Sequence, residues 1–150
     1  MDKQQDVMAI LKLYELRRDE KMRQARAWYF SEFAPRSVMD IVGLYRNGEQ
    51  ASAHFRMVTS FWDMAASFVL NGGIDEKMFL DSGTEYIFVY AKVQPFLSEI
   101  RELFGEPEYL LNLEQLVQKI PNIETKIENR KRLITLWTKE NKELSAVETN

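Results

Sequence analysis

Apolar residues recur at helical spacing along nearly the whole chain, and few residues interrupt them. The 150 residues include only six glycines and four prolines, which punctuate the helical pattern. Apolar side chains that return every three to four residues indicate helices with one face on a core. The sequence therefore predicts an all-α fold, a single-domain helical bundle of about six to seven helices with long N- and C-terminal helices.

The length and the cysteine content limit the class of protein. A chain of 150 residues suits one domain without disulfides, and we place its core at residues 6–144 with frayed termini. The absence of cysteine excludes disulfides, thiolate catalysis and Cys-ligated zinc. Without a signal peptide or a run of about 20 apolar residues, the chain is expected to be cytoplasmic and to make no membrane contact.

The first predicted helix covers residues 6–33 and ends before Pro35, which cannot continue a helix. The wholly charged middle of this helix, residues 17–21, must be solvated or paired with another helix. A second, short helix opens at Ser37, with Asp40 close to the position of a capping-box carboxylate. The apolar positions of the first helix are Val7, Leu11, Tyr14, Met22, Ala25 and Tyr29.

Two further helices have wide apolar arcs and should be central. The third covers residues 49–70, and the fifth covers residues 84–104 with a kink near Ala91, because Pro95 removes a backbone hydrogen bond. A short fourth helix with Asp75 as its cap lies between them. The sixth helix begins at Pro107 and the seventh, over residues 122–144, has one heavily charged side.

Polar residues on the third helix are the best candidates for a functional or structural cluster. Arg56 and Asp63 lie two turns apart on a narrow polar strip of an otherwise apolar helix. A buried carboxylate needs a partner, and Arg101 on the fifth helix is a second candidate for that partner. The cluster predicts a buried ion pair of Asp63 with Arg56 or Arg101; a solvent-facing strip and a ligand site are the alternatives.

Other candidate residues have a structural interpretation beside a functional one. Trp28, Tyr29 and Phe33 at the end of the first helix fit core packing or a partner surface. His54 is the single histidine, and its apolar neighbours indicate a packed structural side chain rather than a catalyst.

Several functions lack their signatures. Glu-x-x-His pairs are absent, so we expect no metal and no cofactor. Residues 62–110 contain nine acids and three bases, which argues against nucleic-acid binding. The basic run 130–132 is flanked by glutamates and fits a solvated helix face.

A pattern of helix ends and aromatic residues occupies the middle of the chain, over residues 49–120. It consists of Phe61, Trp62 and Asp63, the run FVLNGGIDE at 68–76, Tyr90, Pro95, Phe96, Ile100, Arg101, Tyr109 and the run LEQL at 113–116. With this pattern the chain resembles a family of small bacterial all-helical proteins of unknown function, whose members often have Glu where this chain has Asp63. The resemblance implies a helical fold and nothing about activity.

The function that the sequence favours is a non-enzymatic protein-interaction module, with an unidentified protein partner or a homodimer through the terminal helices. The long mixed-charge helices at both ends of the chain suit a partner helix, and no catalytic constellation is evident. The alternative from another class is a small-ligand sensor or an enzyme that uses Arg56, Asp63 and Arg101 inside the bundle.

Overall fold

The computed structural model describes residues 2–47 and 49–148, and the side chains of these residues apart from 47 and 138–148. The described residues form nine α-helices and one 3₁₀ turn, and no strand occurs among them. The all-α prediction is therefore confirmed. The helices are α1 (Lys3–Arg17), α2 (Glu20–Ser31), α3 (Val38–Asn47), α4 (Gln50–Leu70), α5 (Glu76–Asp81), α6 (Glu85–Val93), α7 (Leu97–Phe104), α8 (Leu111–Gln118) and α9 (Ile123–Glu148).

Helix α4 lies at the centre of the fold. It contacts α2, α3, α5, α6 and α8, and its side chains at Phe55, Val58, Trp62, Ala65 and Val69 are buried. These five residues are the apolar stripe that recurs at helical spacing in the sequence, so the prediction of a central helix here is confirmed. Helix α6, the other predicted centre, contacts α4, α8 and α9.

The prediction of one continuous helix over residues 6–33 is wrong. The segment divides into α1 and α2 at Arg18 and Asp19, within the charged stretch. The Asp19 carboxylate accepts hydrogen bonds from Lys21 N at 3.0 Å and Met22 N at 3.4 Å. A side chain that satisfies the first free N–H groups of a new helix starts that helix, so the charged stretch is a helix boundary rather than a solvated helix middle.

The predicted fifth helix is also divided, and farther along the chain than the expected kink near Ala91. Helix α6 ends at Val93, Gln94–Phe96 form a 3₁₀ turn, and α7 begins at Leu97. Pro95 has no N–H and blocks the preceding turn, so the break falls at the proline itself. Gly105, with φ of 65°, then ends α7 in the left-handed conformation.

The remaining helix ends follow local chemistry. Gly72, with φ of 81°, follows the end of α4, and Asp75 caps α5 by accepting from Met78 N at 2.9 Å. Helix α8 begins at Leu111 rather than at Pro107, because residues 107–110 form a turn. Leu110 closes this turn with a left-handed φ of 53°, a conformation that costs a non-glycine residue about 1–3 kcal/mol.

Helix α9 begins inside the core and continues past it. Its first turns pack on α6, where Ile123 and Ile127 are buried. The helical backbone extends to Glu148, four residues beyond the predicted end. No helix in the part of the chain that the structure describes is both long and apolar enough to cross a membrane.

Candidate functional site

Asp63 projects from α4 towards the N-terminus of α8. Its Oδ1 accepts from Leu113 N at 2.9 Å and its Oδ2 accepts from Asn112 Nδ2 at 3.3 Å. The first N–H groups of a helix have no partner within that helix. A carboxylate placed there accepts from them and is also stabilised by the positive end of the helix dipole. Asp63 is therefore a capping residue for α8, supplied by another helix.

The predicted ion pair of Asp63 with Arg56 or Arg101 does not form among the described side chains, and Asp63 is half-buried rather than mostly buried. Arg101 Nη1 instead lies 3.1 Å from Glu114 Oε1, and its Nε donates to Tyr109 O at 2.9 Å. The exposed Arg56 donates to Ser52 O in its own helix at 3.3 Å. The sequence-based reasoning failed because Asp63 is bonded to uncharged groups of α8, the backbone N–H of Leu113 and the side-chain amide of Asn112, rather than to an arginine.

Two of the three predicted cluster residues nevertheless share one surface. Arg56 and Asp63 line an open depression of about 490 Å³ beside the turn before α8, and Arg101 does not line it. Tyr45 and Tyr109 also line it, with hydroxyl oxygens 2.9 Å apart. Burial raises the pKa of both tyrosines, so both hydroxyls stay protonated near neutral pH. The depression can offer an arginine, a carboxylate and two hydroxyls to a small ligand.

The capping role of Asp63 predicts a moderate loss of stability on substitution. Asp63→Ala should lower the free energy of unfolding by about 1–2 kcal/mol, the usual effect of losing a helix cap, in urea melts. Asp63→Asn should lose less, because an amide oxygen can still accept from Leu113 N. Asp81→Ala, at an exposed pair with Lys77, is the control and should stay within about 0.5 kcal/mol. A loss of about 3–5 kcal/mol for Asp63→Ala would indicate a buried ion pair after all.

The aromatic cluster Trp28, Tyr29 and Phe33 lies mostly in the core. Tyr29 and Phe33 are buried, and their ring centroids lie 6.4 Å and 5.2 Å from that of Phe55. The Tyr29 hydroxyl donates to Val89 O at 2.6 Å. A partner surface at Tyr29 and Phe33 is therefore wrong, because both side chains are already covered by their own chain. Trp28 is half-buried and is the one member that remains accessible.

His54 packs beside the same cluster. Its ring centroid lies 6.0 Å from that of Trp28, and the side chain is half-buried. Its Nδ1 is buried without a hydrogen-bond partner among the described groups. This environment fits the structural role that its apolar neighbours in the sequence predict.

Helix α1 has an exposed apolar face, although the sequence pattern indicated that its apolar residues pack on the core. Val7, Met8, Leu11 and Tyr14 are between 43% and 65% exposed, although the sequence assigned three of them to one stripe with Met22, Ala25 and Tyr29. Those last three are buried. Because the helix breaks at Arg18 and Asp19, the first half of the stripe points to solvent while the second half packs on α4. We call these four exposed residues the α1 face.

Contacts at both ends hold α1 on the rest of the fold. The buried Asp6 accepts from Asp75 N, the cap residue of α5, at 3.2 Å. At the other end, Arg17 Nε lies 3.2 Å from Glu85 Oε2 on α6. Arg17 also lies over the Trp62 ring, 5.2 Å from its centroid. The α1 face is thus presented on a helix anchored at both ends.

The model of a family described as a domain of unknown function, DUF4760, matches residues 4–120. The chain belongs to the DUF4760 family. The resemblance to a family of unknown function is therefore confirmed, over a longer stretch than residues 49–120. The DUF4760 match includes nearly all of α1 and ends before α9. No curated protein and no solved structure matched this DUF4760 chain.

Proposed function

We propose that this DUF4760 protein is a non-enzymatic protein-interaction module that forms a homodimer through α1. The observation that carries the proposal is the α1 face, with Val7, Leu11 and Tyr14 at successive helical turns and Met8 beside them. Adjacent apolar residues that stay in water favour association, because their burial is stabilising at about 25 cal/mol per Å². The cytoplasmic location and bacterial origin expected from the sequence belong to the same proposal.

A second copy of the same face is the partner that fits this surface best. A two-fold axis near Leu11 would set two α1 helices antiparallel, so that each covers the apolar residues of the other. Lys12 and Glu15 beside the face have opposite signs and pair within the helix at 3.8 Å. Arg17 and Arg18 lie 5.7 Å from the Tyr14 ring centroid at one end of the face, and in an antiparallel pair they and their copies would lie at opposite ends. Two identical faces would therefore meet without a large repulsion between like charges.

The size of the face sets the expected strength. Standard interfaces bury about 1,600 Å² in total, and one helix face of two to three turns supplies less than that. The dissociation constant should accordingly be on the order of 10–100 µM.

The other predicted terminal helix, α9, already packs on its own chain. Its first turns contribute Ile123 and Ile127 to the core, and its Trp137 ring stacks on Phe88 of the same chain at 5.6 Å.

Sedimentation equilibrium with a charged substitution tests this proposal. At high micromolar concentration the wild type should show a mass between 17.7 kDa and twice that value, while Leu11→Lys should stay monomeric, because a buried ammonium opposes the interface. Leu103→Lys is the matched control, since Leu103 on α7 is also exposed, at 59%, and it should associate like the wild type. A monomeric wild type, or association unchanged by Leu11→Lys, would contradict the α1 homodimer.

The alternative function, recognition or turnover of a small ligand, has one specific observation in its favour. Arg56 and Asp63 line the same depression with Tyr45 and Tyr109. The two proposals separate experimentally, because the depression lies beside α8 and contains no residue of α1. Arg56→Ala should leave self-association intact under the homodimer proposal.

A further inference from the structure

A second open cavity, with a different lining, lies between the segment after α2, the Gln94–Phe96 turn and α9. Its volume is about 300 Å³, at the lower end of the range for small-molecule sites. It lies between helices of a bundle, where ligand sites commonly form. Its lining is Phe33, Ala34, Pro35, Arg36, Ala91, Lys92, Pro95, Phe96, Lys131, Ile134 and Thr135.

The charged residues of this lining are all cationic. They are Arg36, Lys92 and Lys131, in a chain whose net charge is −3. Lys131 lies 3.7 Å from the exposed Glu128, which is outside the lining, and donates to Gln94 Oε1 at 3.2 Å. Three cations without a lining carboxylate indicate a preference for an anion.

Lys92 is the most enclosed of the three. Its Nζ donates to Tyr29 O at 2.6 Å and to Phe33 O at 2.7 Å, carbonyls at the C-terminal end of α2 and just beyond it. The Tyr29, Phe30 and Phe33 ring centroids lie 5.5–5.9 Å from Nζ. Among the described side chains no carboxylate pairs with it.

These contacts give Lys92 a structural role as a cap of α2, yet they leave its charge uncompensated. Burial lowers the pKa of Lys92 to about 8 from the ordinary 10.5, because the ammonium has lost water and gained no counter-charge. An ammonium has three donors. Two make the short bonds to Tyr29 O and Phe33 O, and the remaining one has only a long contact of 3.5 Å with Phe30 O. A carboxylate at the cavity would supply the missing counter-charge.

Apart from Thr135, the rest of the lining is apolar. Phe33, Phe96 and Ile134 present hydrocarbon, and Pro35 and Pro95 restrict the backbone on two sides. A bare phosphate would leave this hydrocarbon surface unused, and an uncharged hydrocarbon would leave the cations unused.

We propose that this cavity binds a small carboxylate that carries a short hydrocarbon chain. The carboxylate would lie between Lys92 and the exposed Arg36, and the chain would lie against Phe33, Phe96 and Ile134. The proposal is independent of the α1 homodimer, because no residue of α1 lines the cavity.

Calorimetric titration of the full chain with octanoate tests the site. Octanoate should bind with a dissociation constant on the order of 1 mM or tighter, and octanamide, which has the same chain without the charge, should bind at least about tenfold more weakly. Lys92→Met should weaken octanoate binding about tenfold or more. Arg36→Met should weaken it severalfold, and it tests the site without disturbing the cap of α2.

Lys77→Met is the matched control, because Lys77 is exposed and paired with Asp81, and it should bind octanoate like the wild type. Three results would overturn the proposal: no octanoate binding up to about 10 mM, equal binding of octanoate and octanamide, or binding that both Lys92→Met and Arg36→Met leave unchanged. Binding of inorganic phosphate as tightly as octanoate would overturn the assigned ligand class.

Discussion

Tyr29→Ala should be among the most destabilising single substitutions in this chain, at about 4–5 kcal/mol in the free energy of unfolding. The Tyr29 side chain is fully buried, its ring lies among those of Trp28, Phe30, Phe33 and Phe55, and truncating a buried aromatic ring leaves a cavity. Since domains of this kind are stable by about 5–15 kcal/mol, this loss is a large fraction of the total stability. Urea melts followed by circular dichroism measure this effect.

Two companion variants separate packing from the hydroxyl of Tyr29. Tyr29→Phe keeps the ring and loses only the bond to Val89 O, so it should lose about 1 kcal/mol. Tyr14→Ala removes a half-exposed ring on α1 and should stay within about 0.5 kcal/mol of the wild type. Equal losses for Tyr29→Ala and Tyr14→Ala would contradict the core position of Tyr29.

Glu85→Ala should lower the free energy of unfolding by about 2–4 kcal/mol. The Glu85 carboxylate lies 2.8 Å from Arg26 Nε on α2 and 3.2 Å from Arg17 Nε on α1, and it is only 12% exposed. Its removal leaves two partly buried guanidinium groups without their counter-charge. The resulting loss of stability is larger than the net stabilisation that the intact network provides. Burial lowers the pKa of Arg17, and the charge of Glu85 opposes this effect, so Arg17 depends on that carboxylate. Thermal melts at neutral pH measure the loss.

Charge and shape can be separated at this position. Glu85→Gln keeps an acceptor for Arg26 and should lose about half as much stability as Glu85→Ala. Glu76→Ala is the control, because its pair with Lys119 at 3.1 Å is about half exposed and should contribute little. A Glu85→Ala variant as stable as Glu76→Ala would show that the network does not hold α1 and α2 on α6.

The sequence predicted the helices of the core well because their signals are local. The burial of α4 follows from apolar residues at 3.6-residue spacing, and the caps at Asp75 and Gly105 are properties of one or two residues. The break between α1 and α2 was missed because apolar spacing continues across it. The one available signal was Asp19, an N-cap residue followed by Glu20, within the charged stretch.

The candidate sites depend on residues far apart in the chain, and this is where the sequence reasoning failed. Asp63 meets Leu113 N across 50 positions, and Lys92 meets Tyr29 O across 63. Both of these partners are backbone groups, an N–H that every residue type except proline supplies and a carbonyl that every residue type supplies. Side-chain patterns therefore identified Asp63 as unusual but assigned it the wrong partner, and they did not identify Lys92 at all.

Site-directed disulfide formation tests the α1 homodimer most directly, because the chain contains no cysteine. A residue near a two-fold axis meets its own copy, and a disulfide needs Cα atoms about 4.4–6.8 Å apart. Under mild oxidation at high micromolar concentration, Leu11→Cys should become a covalent dimer of twice the 17.7 kDa chain mass, while Leu103→Cys, at an exposed position on α7, should remain mainly monomeric. Equally slow dimer formation by both variants would contradict an interface centred on α1.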